Sequence, residues 1–213
     1  MAETKVINSI TDIAAGIETA KRLAGRKIEA LVIGASAGGI RALLMLLGNL
    51  PVHFKLAIVV VLHMPHTRET RLAEVFQHHA NMEVCIAEEK ARVLPGKIYF
   101  GGPGYHLSIE RDKSFSISCE EPVHYSRPSI DILMTSAADA YGPALAGILL
   151  TGANQDGAQG MAYIHQLGGL TIIQDPAEAE IAIMPQSALD LFAPDFILPL
   201  AQIERLILKL EKC

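Results

Sequence analysis

The sequence predicts an α/β domain on a doubly wound, mostly parallel sheet with a short antiparallel excursion, and three observations carry that prediction. Apolar runs at residues 29–33, 56–62 and 144–151 are continuous and bounded by Gly and Pro, the pattern of strands buried on both faces of a parallel sheet. Helix-length segments separate most of these runs, as parallel crossovers require. Between Lys97 and Cys119 the pattern changes to short alternating pieces punctuated by turn residues, which reads as antiparallel. With 213 residues, half of them hydrophobic, the chain can bury one substantial core, so a single domain is expected.

Taken in order, residues 1–28 form an N-terminal extension whose apolar positions Ile10, Ile13, Ile17 and Leu23 recur at near-helical spacing. A short amphipathic helix is expected there, and the domain proper is assigned to residues 29–213. The strand over 29–33 passes through the turn Gly34-Ala-Ser36-Ala-Gly-Gly39 into a helix over 40–47. The strand over 56–62 is followed at once by His63-Met-Pro65, then by a charged surface helix over 67–80 and a strand over 82–87. The alternating pieces are 97–100, 106–110 and 114–119, separated by Gly101-Gly-Pro-Gly104 and Arg111-Asp-Lys113. Arg127-Pro-Ser-Ile-Asp131 opens a helix to about residue 141, with Pro128 suited to the first helical position. The strand over 144–151 leads through Gly152-Ala-Asn-Gln-Asp156-Gly157 into a helix over 158–167, stopped by Gly168-Gly169. A buried strand over 170–174, a helix over 185–192, a short strand over 196–198 and a terminal helix over 203–210 complete the domain.

The three long apolar runs share a second property: each hands over, at or just past its carboxyl end, to Ser36, His63 or Asp156. In an open parallel sheet these ends lie along one edge, where ligand sites form. A serine hydroxyl is a poor nucleophile near neutral pH; it needs an imidazole to take its proton and a carboxylate to hold that imidazole in one tautomer. It also needs N–H donors for the oxyanion of the tetrahedral intermediate. The backbone N–H of Ala37, next to the serine, is the natural first donor, and the loop from Gly152 to Asn154, with the N–H of Ala153, is the second. Each residue alone has a structural explanation: Ser36 and Asp156 as helix caps, His63 as a hydrogen-bonded residue closing a buried strand. Their joint placement on one sheet edge is what favours chemistry.

Composition narrows the alternatives. The net charge of −5 and the absence of a Lys/Arg cluster argue against nucleic acid as a partner. No apolar stretch approaches the roughly 20 residues that span a bilayer, and no apolar signal segment follows Met1, so a cytoplasmic protein without membrane insertion is expected. Cys85, Cys119 and Cys213 have no framework spacing and read as reduced thiols. His63 with His66, and the pair His78-His79, bring no third ligand for a metal. Arg68 and Arg71 read as an ordinary exposed helix face.

Five motifs occur in order: the Ser36 turn, Leu62-His63-Met-Pro65, Gly101-Gly-Pro-Gly-Tyr-His106-Leu107, Arg127-Pro-Ser-Ile-Asp131, and Leu150-Thr-Gly-Ala-Asn-Gln-Asp156-Gly157-Ala158. On these the chain resembles the catalytic domain of the chemotaxis protein-glutamate methylesterases, the CheB family, over residues 29–210. The resemblance implies Ser36 as nucleophile, His63 as general base and Asp156 as orienting carboxylate. It implies hydrolysis of glutamate γ-methyl esters on the cytoplasmic helices of methylated chemoreceptors, releasing methanol, with glutamine deamidation at the same sites, and no metal or cofactor. His106 and Asp131 fall within its motifs and are given structural roles near the site. Many relatives have Thr where Ala37 stands, and Met and Gly where Ala153 and Asn154 stand. Well-known members carry a receiver domain before the esterase. The 28 residues that precede the first strand here are too few for one, so the expectation is an esterase constitutively open or governed by a separate regulatory protein. Two other readings are a catalytically weak receptor-binding module and a nucleotide-binding α/β domain. The latter wants glycine where Ser36 stands and a carboxylate where His63 stands.

Overall fold

In the computed structural model, residues 19–64 and 72–211 are described. Of the predicted N-terminal helix, residues 19–23 are helical and Leu23 is buried; Ile10, Ile13 and Ile17 lie outside the described residues, as do Arg68 and Arg71.

Beyond the helical residues 19–23, nine strands and six α-helices are described. The strands are β1 (Ala30–Ala35), β2 (Ala57–Leu62), β3 (Glu83–Ile86), β4 (Lys97–Phe100), β5 (His106–Ile109), β6 (Phe115–Ser118), β7 (Leu145–Leu149), β8 (Leu170–Gln174) and β9 (Phe196–Leu198). The helices are α1 (Gly39–Gly48), α2 (Leu72–Gln77), α3 (Ile130–Tyr141), α4 (Ala158–Gln166), α5 (Ile183–Leu189) and α6 (Leu200–Leu210). Seven strands form one sheet in the order β3-β4-β2-β1-β7-β8-β9, and every pairing in it is parallel. β5 and β6 form a separate antiparallel hairpin.

All residues of β1, β2 and β7 are buried, which is why their sequences run apolar without alternation. Successive side chains still go to opposite faces. Leu31, Ile33 and Ala35 join the core with Leu43 and Leu47 of α1 and Ile203 and Ile207 of α6. Ala30 and Val32 join the other core, with Ile130 and Met134 of α3, Met161 of α4 and Phe115 of the hairpin. The sheet is thus covered on both faces, as double winding requires.

Two expectations are corrected. Residues 97–100 were expected to be antiparallel; β4 instead lies parallel between β2 and β3, with Ile98 and Phe100 fully buried, so the excursion is β5–β6 alone. Pro128 is not the first residue of α3: the helix begins at Ile130 with Ser129 as its N-cap, whose hydroxyl accepts the Ile132 N–H.

The chain leaves β1 toward β2 on one side and returns to β7 on the other. The strand order therefore reverses at β1, and crevices open beyond the carboxyl ends at such a reversal.

Candidate active site

The ladder continues one residue past the strands. His63 N–H donates to the Ala35 carbonyl at 3.0 Å, and Ser36 N–H donates to the Thr151 carbonyl at 3.0 Å. Adjacent parallel strands lie about 4.8 Å apart, so this register sets Ser36 and His63 side by side on one rim. Past Ser36 the chain turns sharply: Gly39 N–H donates to the Ser36 carbonyl at 2.8 Å, and Gly38 takes φ 79°, a left-handed conformation that glycine adopts without penalty. The N-cap of α1 is Gly38, so Ser36 does not cap the helix. Among the described residues its hydroxyl has no hydrogen-bond partner. It faces a cavity of about 490 Å³ lined also by Ala37, Ile40, Leu44, Leu62, His63 and Met64.

His63 is held from one side by the carboxylate: its Nε2 lies 2.8 Å from Asp156 Oδ2. A carboxylate can only accept, so Nε2 carries the hydrogen and Nδ1 is the nitrogen left to accept. Asp156 reaches the ring from the loop after β7. It is fully buried and does not cap α4, whose N-cap is Gly157 at φ 97°. Instead its carboxylate sits on the N-terminus of α3. Oδ2 accepts the Ile130 N–H at 2.7 Å, while Oδ1 accepts the Asp131 N–H at 3.0 Å and the Ser129 hydroxyl at 2.8 Å. Burial pushes this carboxyl upward, but the hydrogen bonds from His63, Asp131 and Ile130 outweigh it, and the net effect lowers its pKa. Asp156 is thus a buried, ionised acceptor.

Asp131, in the first turn of the same helix, behaves oppositely. Burial raises its pKa to about 6; the bond from Gly160 N–H at 2.7 Å lowers it, while the charge of Asp156 adds to the rise. His124 Nε2 lies 3.6 Å away on its open side. His106 is buried behind the site: its Nδ1 accepts the Ser129 N–H at 3.1 Å and its Nε2 faces the Glu121 carbonyl at 3.1 Å. The hairpin thereby anchors the start of α3, and with it the cradle of Asp156.

Four of the five sequence-derived residues converge on this rim in two groups: Ser36 and Ala37 share the cavity with His63, and His63 is bonded to Asp156. Ala153 does not line the cavity; it is exposed on the neighbouring loop. Among the described residues the backbone N–H groups of Ala37 and Ala153 donate no hydrogen bond. Sequence reasoning missed Ser129, Ser126, Asn154 and Thr151. Ser126 Oγ is 3.3 Å from His63 Nδ1, and Asn154 Nδ2 donates to that same oxygen at 3.3 Å. Thr151 Oγ1 is 2.9 Å from the Ala37 carbonyl and accepts the Ile181 N–H at 2.8 Å, tying the serine turn to the loop before α5. Only Ser129 had a local signal, a serine just ahead of a helical pattern.

Residues 31–207 match the family described as CheB methylesterase. A protein of Leptospira interrogans is 44% identical over 184 residues, which cover 86% of this chain and 95% of that protein. A protein-glutamate methylesterase/protein-glutamine glutaminase of Methanospirillum hungatei is 38% identical over 185 residues, covering 87% of this chain and 53% of the relative. The crystal structure of the Thermotoga maritima CheB methylesterase catalytic domain superposes with a TM-score of 0.80 at 32% identity, covering 84% of this chain and 97% of that one.

Proposed function

The chain belongs to the CheB methylesterase family, and on that premise we propose that it hydrolyses glutamate γ-methyl esters, and deamidates glutamine at the same positions, through Ser36, His63 and Asp156. The substrate is a methylated chemoreceptor, presented as a helix whose modified side chain enters the cavity beside Ser36. One observation carries the reading: a buried carboxylate holds His63 by Nε2, leaving Nδ1 as a base on the rim that carries an unbonded serine hydroxyl.

The chemistry follows from that arrangement. Ser36 Oγ attacks the γ-carbonyl carbon as its proton passes to His63 Nδ1, and the oxyanion takes hydrogen bonds from the N–H groups of Ala37 and Ala153. Collapse breaks the bond to the methoxy oxygen, which leaves as methanol with the proton from Nδ1. Water then hydrolyses the acyl-serine by the same base, giving glutamate; with a glutamine substrate the leaving group is ammonia. Asp156, ionised throughout, stabilises the imidazolium in between. The apolar side chains of Ile40, Leu44, Leu62 and Met64 suit a methyl ester, and Arg41, which also lines the cavity, suits the carboxylate that hydrolysis leaves.

The test is methanol release from chemoreceptor membranes carrying glutamate γ-methyl esters, with wild type and Ser36→Ala compared. Release by wild type and none by the variant is expected. Binding to the membranes without methanol from wild type would convert the protein into a receptor-binding module.

A further inference from the structure

The proton inventory around His63 extends one residue beyond the triad. Asn154 Nδ2 lies 3.3 Å from Ser126 Oγ, and an amide nitrogen can only donate, so Ser126 is an acceptor there. The hydroxyl proton of Ser126 then has two acceptors in reach, His63 Nδ1 at 3.3 Å and the His124 carbonyl at 3.5 Å, of which Nδ1 is the nearer. That nitrogen is the acceptor of the ring because Nε2–H is committed to Asp156. The Asn154 carbonyl oxygen in turn accepts the Asp156 backbone N–H at 3.2 Å. The bonds close a ring: Asn154 to Ser126, Ser126 to His63, His63 to Asp156, and Asp156 back to Asn154.

Resting on the esterase reading above, we propose that Ser126 is a positioning residue for the general base, with Asn154 as its anchor. In the resting protein Ser126 donates to Nδ1 and pins the imidazole from the side opposite Asp156. An imidazole nitrogen offers one lone pair, so Ser126 releases Nδ1 as Ser36 gives up its proton, turning its own hydrogen to the His124 carbonyl, 3.5 Å away; it then accepts from the imidazolium. A hydroxyl serves both protonation states because it is both donor and acceptor. Asn154, which stands where the family resemblance places Gly, is thus part of the machinery that orients the base.

The test has three arms. In protein labelled with ¹⁵N-histidine, the His63 Nδ1 resonance, assigned with His63→Gln, is expected to move downfield toward an unbonded imine-type nitrogen in Ser126→Ala and to return in Ser126→Thr. In the methanol assay Ser126→Ala is expected to lower kcat by about tenfold, the worth of one hydrogen bond to a charged group, with KM little changed and with recovery in Ser126→Thr. Asn154→Ala is expected to give a smaller loss of the same kind, and the double variant to lose less than the product of the two single losses, because Asn154 acts in part through Ser126. An unmoved Nδ1 resonance, a kcat that holds or rises in Ser126→Ala, or additive losses would each overturn the proposal. The two readings fail separately: an active Ser36→Ala protein would sink the esterase assignment, whereas the ¹⁵N shift tests the Ser126 bond without any substrate.

Discussion

Asp156 is bonded to the His63 ring and Ser36 shares a cavity with it, yet their surroundings are built differently. The carboxylate is fully buried and accepts hydrogen bonds from His63, Ser129, Ile130 and Asp131. The serine is half-buried, opens on a cavity, and its hydroxyl engages no described residue. A buried charge is tolerable only when its lone pairs are satisfied, and once satisfied it holds its partner in one place. A group that must form a covalent bond needs the reverse, a valence left open toward the substrate. The contrast separates what orients from what reacts, and it predicts that substitutions at the two ends differ in kind as well as in size.

The largest effect is expected at the open end. Ser36→Ala should lower turnover by on the order of 10⁴-fold or more, because the groups act as a unit. It should also leave stability within about 0.5 kcal/mol, because no hydrogen bond of the folded protein is lost. Urea unfolding beside the methanol assay checks both halves; a large loss of stability would mean that Ser36 is structural. Asp156→Ala should cost turnover on the order of 10⁴-fold as well, by freeing the ring and its tautomer. Unlike Ser36→Ala, it should destabilise the fold by about 3 kcal/mol or more, since the Ile130 and Asp131 N–H groups and the Ser129 hydroxyl lose their buried acceptor. An unfolding midpoint equal to that of wild type would break the comparison.

The part of this contrast that was legible in the sequence is the part fixed by local pattern. β1, β2 and β7 are buried on both faces and run apolar, so their carboxyl ends, and the residues just past them, could be located without coordinates. β4 could not: Lys97–Phe100 is short, stands beside true antiparallel pieces, and owes its place to pairing with β2 and β3, which no local pattern encodes. The cradle of Asp156 was equally silent. Ser129, Ile130 and Asp131 meet it across 25 to 27 positions of chain, and the proline ahead of them reads as a helix start when the cap is one residue later. The same holds for Ser126 and Asn154, 28 positions apart. Sheet edges are written in hydrophobicity, whereas hydrogen-bond networks between loops are written only in three dimensions.

A third substitution probes the region between the two ends. Thr151 is buried, and its hydroxyl lies between the Ala37 and Ile181 backbones, on the loop shared by the serine turn and the Asp156 strand. Thr151→Val keeps the shape and removes the hydroxyl, leaving the Ile181 N–H without this acceptor. A loss of about 1–3 kcal/mol is expected. If the Ala37 peptide is held by this bond, kcat should fall with the stability while KM changes less. A variant that loses stability but keeps wild-type kcat would show that the oxyanion turn is rigid without Thr151.

The smallest effect concerns the two carboxyls of the α3 terminus, and it has a sign that pH reveals. Asp156 is held below its ordinary value, so its contribution is present above about 3.8 and is lost only in stronger acid. Asp131 is raised from 3.8 to about 6 by burial and by the charge of Asp156. Between those values the folded protein keeps a proton that the unfolded chain has released, so stability from this group is full in acid and falls as pH rises through about 6. Asp131→Asn retains an oxygen for the Gly160 N–H while removing the charge. The advantage of the variant over wild type should therefore grow by on the order of 2 kcal/mol between pH 4.5 and pH 8, one pKa unit being worth about 1.4 kcal/mol. Urea midpoints at the two pH values decide it. An equal difference at both would mean that the Asp131 carboxyl is ionised in the folded protein throughout, and that the α3 terminus carries two negative charges in place of one.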